Sequence, residues 1–336
     1  MRAAACPGMC PEREGSERRL HRLERRTGAA VKEWRRPAAG GGGPGAAAEL
    51  RPPAVLLRTV RHLLEAVVPL AEAEAEPEPW ALVHPFVADR LRSVRQDLAA
   101  QRLGGRPAAA ILEPSLRFLL AGPLWLERPP PRRSRPGEPG SVDAQARECF
   151  SRLFAAYTEG GDENQAEFQA LALLFELGSD KAVHHALQLP SHIRESSEMK
   201  MAFAIHRALA EGNYVRCLRL VRCLPFLESC VVSRHIPMLR HRLLRAFSHG
   251  YSSRNCCYPL PTLVELLAVD SQGIAADLCQ RHGQQVTGNS VCFQKNSYKD
   301  PDIIPEFKEL ELVIKKQGNR TRSSIILGLK MKLSPE

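Results

Sequence analysis

Ten cysteines and eleven histidines are the residues of this 336-residue chain best suited to bind a metal or act as nucleophiles. A structural zinc site needs paired cysteine and histidine spacings, because two ligands must reach one ion from a tight turn or a single helix face. The nearest approaches are Cys6 with Cys10, Cys217 with Cys223, the adjacent Cys256 and Cys257, and the histidines His235, His241 and His249. None completes the paired pattern, so packing or exposure is the default and no metal is expected. His84 and the adjacent His184 and His185 have no acidic or cysteine neighbour in sequence that would make them a catalytic base. There is no nucleophile elbow, no phosphate-cradling loop ending in Lys-Ser/Thr and no dinucleotide fingerprint after a strand. The glycines from 40 to 43 sit in a stretch without periodicity and hold no phosphate. The expectation is a protein that is not an enzyme and has no cofactor.

Arginine carries the stronger signal. Arg234, Arg240, His241, Arg242, Arg245 and Arg254 crowd one stretch, and Arg216, Arg219 and Arg222 precede it at helical spacing. Grouped guanidinium groups can contact nucleic-acid phosphates, or an acidic protein partner. The competing reading is a solvated helix face. Few aromatics are interleaved to stack bases, as nucleic-acid platforms often require.

Composition allows a sizeable core: 44% of residues are hydrophobic and 25% charged, with a formal net charge of +10. A membrane span needs about 20 apolar residues in a row, and the best run, Phe118 to Leu126, is half that and broken by Gly122 and Pro123. No membrane partner is expected, and the opening residues lack the apolar core of a secretory signal. Dispersed cysteines without an export signal point to reduced thiols.

Between two breaks the hydrophobic period is helical. Residues 1–36 are Arg-rich and mixed in sign, and read as a solvated, partly helical basic arm. Residues 37–53 form a Gly/Pro linker and residues 127–141 a Pro/Arg-rich one, both expected to be mobile. From 54 to 126 three helices are expected. The first covers Val55 to Val68 and ends at Pro69. In the second, Val87, Leu91, Val94 and Leu98 form an apolar stripe opposite Asp89, Arg92 and Gln96, which gives an amphipathic helix with a charged outer face. The third carries Leu112, Leu116 and Leu119, with Glu113 four residues before Arg117. From 142 to 255 short helices alternate with turn signals at Gly160, Gly178, Pro190 and Gly212, the pattern of stacked helical pairs. Residues 256–295 read as helix, helix, hairpin, with the turn at Gly288-Asn289, the order of a winged helix. The fold class expected is mainly α: a helical-repeat solenoid, TPR-like, ending in a winged helix with a small β-hairpin. Residues 296–336 remain an unassigned tail.

Five blocks in order carry a family resemblance. Met9-Cys10-Pro11-Glu12-Arg13-Glu14 is similar to the MCPE-R-E opening of the Sac-three/GANP family. His84-x-Phe86-x-x-Asp89-Arg90-x-Arg92-Ser93-Val94-Arg95-Gln96-Asp97-Leu98 resembles its D-R-x-R-x-I-R-Q-D segment. Glu113-x3-Arg117-Phe118 resembles its E-x3-R-F, Asn164-x-Ala166-Glu167-Phe168 its N-E-A-E-F, and Gly212-Asn213-Tyr214-x-Arg216 its G-N-Y-x-R-F-F. Here Cys217 and Leu218 replace the usual Phe-Phe, and Leu91 replaces a usual polar residue.

The resemblance implies a PCI-like helical repeat closing on a winged helix, and a scaffolding role. It implies a PCI-type protein and a small acidic Sem-type subunit as partners, with paired winged helices forming a nucleic-acid surface in mRNA export. The chain resembles the short members, without the phenylalanine-glycine repeats, acetyltransferase-like region and centrin-binding helix of the large ones. Those short members are associated with centrosome duplication and the spindle. The expected function is therefore a non-catalytic scaffold in centrosome duplication, mitotic spindle organisation and cell-cycle progression, located at centrosome and spindle and in the cytoplasm, with centrosomal and spindle proteins as partners. The alternative is a nuclear RNA-binding scaffold in mRNA export.

Overall fold

The computed structural model describes residues 4–36, 46–126, 141–160, 163–253, 256–302, 304, 309 and 311–329. Of the expected linkers 37–53 and 127–141, residues 37–45 and 127–140 lie outside the described residues. The chain is mainly helical with one small antiparallel sheet, and it divides into two compact units, residues 1–163 with 319–336, and residues 164–318.

The first unit begins with α1 (Glu12–Glu17), α2 (Arg22–Thr27) and the short α3 (Ala46–Glu49). Next comes α4 (Pro53–His62), with proline at its first turn, where its missing N–H costs nothing. It continues as a π turn over Leu63–Val67 and a 3-10 turn over Val68–Ala71 that contains Pro69. The core helices are α5 (Trp80–Gln101), α6 (Gly105–Ala121) and α7 (Val142–Thr158). Helix α6 gives way at Gly122–Trp125 to a 3-10 turn where Pro123 cannot continue it. Val87, Leu91, Val94 and Leu98 are all buried, as their spacing predicts. The charged side is not an open one: Asp89, Arg92 and Gln96 are half-buried, and Arg90, Arg95 and Asp97, which flank the stripe, are buried. What covers much of it is the arm, whose Cys6, Leu23, Glu24 and Val31 are themselves buried, so the arm is docked rather than solvated. The expected linker also contributes to the core, through Leu50 and the fully buried Arg51.

The second unit stacks α8 (Gln165–Phe175), α9 (Asp180–Leu187), α10 (Ser191–Arg194), α11 (Ser197–Ala210), α12 (Tyr214–Arg222) and α13 (Phe226–Val232). Helix α11 packs between α8 and α12, and α12 packs in turn on α14 (Ile236–Gly250). Oxygen-bearing caps start α9, α11 and α12: Ser179, Ser196 and Asn213 each accept a hydrogen bond from a backbone N–H of the first turn. The winged helix follows as β1 (Cys257–Pro259), α15 (Leu260–Leu267), α16 (Gln272–Arg281), β2 (Gln285–Thr287) and β3 (Ser290–Cys292). The hairpin turns at Gly288, whose φ of 56° suits glycine. Strand β1 adds a third member, in the order β1-β3-β2, with Tyr258 opposite Val291. Three residues with a proline at the end are too short a strand for periodicity to reveal.

The tail is built into the structure. Leu312 and Val313 are buried in the second unit, whereas Ile325 and Ile326 of α17 (Arg322–Leu327) are buried in the first, against α6. No helix among the described residues is long and apolar enough to cross a membrane.

Candidate interaction surface

Most of the motif residues do internal work. Arg18, placed by the turn after α1, donates to both oxygens of Glu24 at 2.7 and 2.6 Å, to Glu14 and to the Val31 carbonyl. Burial favours the neutral acid, yet Arg18 and the backbone N–H groups of Val31 and His21 outweigh it and hold the Glu24 carboxyl at about 2. Burial and then the adjacent Glu14 carboxylate push the Cys10 thiol up to about 11, which makes it a poor nucleophile at neutral pH. Pro11 is buried at the mouth of α1, with Glu12 in its exposed first turn, and Arg13 pairs with Glu17 at the surface.

The D-R-x-R segment on α5 receives the arm. Asp89 accepts from the Trp34 N–H, Arg90 donates to Glu33 at 2.9 Å and lies over Phe86, and the Arg92 guanidinium stacks 3.5 Å above the Trp34 ring. Asp97 holds two cations at once: Arg51 Nε at 2.7 Å and Lys32 Nζ at 2.8 Å. Arg95 reaches Gln145 of α7 at 2.6 Å. On α6, Glu113 accepts from the Tyr157 hydroxyl, Arg117 is buried beside Gly328 of the tail, and Phe118 stacks on His84. Phe168 is a fully buried core residue of α8, Glu167 lies in that helix's first turn, and Asn213 caps α12 directly before Tyr214.

The arginine cluster separates into different environments. Arg240 is buried and is no part of an open surface: its guanidinium makes four hydrogen bonds, two to Glu309 and one each to the carbonyls of Leu267 and Ala268. Arg234 lies half-buried with its guanidinium 4.0 Å above the Phe175 ring. Arg242 and Arg245 are exposed on α14, and Arg216, Arg219 and Arg222 are exposed on α12. Arg222 also donates to the Glu265 carbonyl. Arg254 lies outside the described residues. The candidate surface in the second unit is therefore the exposed arginines of α12 and α14, a pair of helices in contact.

No three His, Cys, Asp or Glu side chains among the described residues gather as a metal would need. His241 and His282 are paired at 3.1 Å, and His282 also bonds the Leu278 carbonyl at 2.7 Å. Burial lowers the pKa of both rings. A cleft of about 260 Å³ in the first unit is lined by both signs of charge, including Arg13, Glu17, Lys32, Glu33, Arg35 and Glu49. Its opposed charges neutralise one another, so it presents no field of one sign to a charged ligand. Arg51, Glu24, Glu309 and β1 are the residues and element that sequence reasoning missed.

Residues 9–288 match the model of the SAC3/GANP family. The chain belongs to that family. It is 26% identical to SAC3 family protein 1 of Schizosaccharomyces pombe over 96% of its own length and 34% of the relative's. It is 25% identical to the protein xmas of Drosophila melanogaster over 91% of its length and 16% of the relative's. With SAC3 family protein B of Arabidopsis thaliana the identity is 26% over 83% of this chain and 17% of the relative. The chain thus spans about a third or less of these relatives. The family match stops before the tail, although Glu309 is buried within the second unit and α17 packs within the first.

Proposed function

We propose that this chain is a non-catalytic scaffold of the SAC3/GANP family that acts in centrosome duplication and mitotic spindle organisation. The observation that carries the scaffold reading is the use of the motif residues. Asp89, Arg90, Arg92, Asp97, Glu113 and Asn213 are occupied by docking the arm, joining helices and capping them. None of them lines the cleft of the first unit, and what the second unit offers is a charged surface. The mitotic setting rests on the resemblance to short family members, as does the expectation of a PCI-type partner with a small acidic subunit. The exposed arginines of α12 and α14 are complementary to such an acidic chain.

The deciding experiment is affinity purification of the tagged chain from synchronised cells, with and without nuclease. Centrosomal and spindle proteins retained after nuclease are the expected result. Export factors recovered without centrosomal proteins would overturn it.

A second reading, an RNA-binding scaffold in nuclear mRNA export, is favoured by the exposure of Arg242 and Arg245 beside a winged helix. Under it, the double variant Arg242→Glu, Arg245→Glu weakens RNA binding and lowers the slope of log affinity against log salt by about 1 for each lost phosphate contact. An unchanged slope removes that reading.

A further inference from the structure

The sheet of the winged helix carries a pair of cysteines that neither the family match nor the scaffold reading uses. Strand register places Cys257 of β1 directly opposite Cys292 of β3. Opposite residues of an antiparallel ladder have Cα atoms about 4.5–5.5 Å apart, inside the range that a disulfide spans, and their Cβ atoms leave the same face. The two Sγ atoms lie 2.8 Å apart, so closing a bond needs a shift of about 0.8 Å. The next rung inward, Tyr258 with Val291, faces the core, and Val291 is fully buried. The cysteines therefore occupy the outer face, where Cys257 is exposed and Cys292 partly so. A small oxidant can reach them. The buried thiols Cys6, Cys149, Cys217, Cys230 and Cys279 have no such access.

We propose that Cys257 and Cys292 form a reversible redox site that closes to a disulfide across the sheet of the winged helix. Closure by a small disulfide such as oxidised glutathione balances in two exchanges. The Cys257 thiolate attacks one glutathione sulfur, forming a mixed disulfide and expelling one glutathione thiolate. The Cys292 thiolate then attacks Cys257 Sγ, forms the Cys257–Cys292 bond and expels the second. Two cysteine thiols lose two hydrogens, and one glutathione disulfide is reduced to two thiols. Cys257 is the more exposed of the two, which orders the roles as attacking Cys257 and resolving Cys292. The residues joined are 35 positions apart and enclose α15, α16 and β2. The link therefore fixes the short edge strand β1 to the sheet and closes a loop around the whole winged-helix body, restricting its unfolded state.

The test uses the full chain equilibrated in buffers of graded glutathione to glutathione-disulfide ratio, quenched by thiol alkylation and mapped by peptide mass spectrometry. The expected result is an intramolecular Cys257–Cys292 peptide that appears with oxidation and disappears on reduction, with a thermal midpoint several degrees higher in the oxidised form. Cys256→Ser keeps both effects, and Cys257→Ser or Cys292→Ser abolishes both. Separate glutathione adducts on the two cysteines, a link through Cys256, or links only between molecules would overturn the proposal. Because the linkage is read directly on the wild-type chain, the result does not depend on any variant folding. It also stands apart from where the scaffold acts.

Discussion

Arg51 is wholly buried, a position a guanidinium tolerates only when its charge and donors are met. Asp97 supplies the counter-charge, and Ser93 and the Met9 carbonyl take further N–H groups. Asp97→Ala removes the carboxylate from two cations, Arg51 and Lys32, and is expected to cost about 3–5 kcal/mol, read as a fall in the urea midpoint. A change below about 1 kcal/mol would mean that the pair is no anchor of the arm. Glu24 gives the arm a pH dependence of definite sign. Its folded pKa of about 2 lies below the ordinary 4.5, so its stabilisation is complete above pH 4.5 and is lost as pH falls towards 2. Glu24→Gln should flatten the stability curve in that window, measured by chemical unfolding at stepped pH. An equally steep curve would assign the acid loss to other groups. His84 acts in a different window: burial lowers its pKa to about 4, so it costs stability as pH falls from 6.5 to 4.

At the scale of elements, Arg240 shows what a sequence can and cannot reveal. Its neighbours on α14, Arg242 and Arg245, are chemically identical and two and five residues away, yet they are exposed and it is not. Arg240 joins α14 to the end of α15, where Ala268 adopts a left-handed φ of 52° and its carbonyl, with that of Leu267, turns to the guanidinium. Glu309, from the unassigned tail, completes the site. Arg240→Met is expected to lower the thermal midpoint by the equivalent of about 3–5 kcal/mol, since it strips a buried carboxylate of a bidentate partner. Arg242→Met should change it by less than about 0.5 kcal/mol. Equal effects would show that the two environments are not distinct. Helical period identified α5, α6 and α8 because their apolar residues recur on one face, and Gly288-Asn289 marked the hairpin for its turn geometry. The covered polar residues of α5 were not legible, because Arg90 and Asp97 are buried by charge pairing, and Arg95 by a hydrogen bond to Gln145, with partners some 50 positions away, and periodicity measures only apolar burial. The arm read as solvated for the same reason: Glu14 and Glu24 look like surface charges until Arg18 is placed beside them.

For the molecule as a whole, the tail decides whether the first unit is complete without residues beyond the family match. Thr321 caps α17, Ile325 and Ile326 enter the core, and the Arg322 guanidinium lies 4.9 Å from the centre of the Trp80 ring. The Ser323 hydroxyl donates to the Leu64 carbonyl, and the Arg322 N–H to Glu72. The Leu64 contact falls in the π turn that interrupts the end of α4, where widened backbone geometry frees carbonyls for outside donors. Each buried isoleucine contributes about 1.5–3 kcal/mol. A chain ending at Gly318 is therefore expected to unfold its first unit at a clearly lower temperature. Amide exchange should accelerate over Leu63–Val67 and Gly105–Ala121, and remain as slow as before from α14 to β3. Ile326→Ala should reproduce part of the loss, about 2–4 kcal/mol, with the chain otherwise whole. If the truncated chain keeps its midpoint and its exchange pattern, α17 is a passenger on α6, and residues up to 163 are a self-sufficient unit.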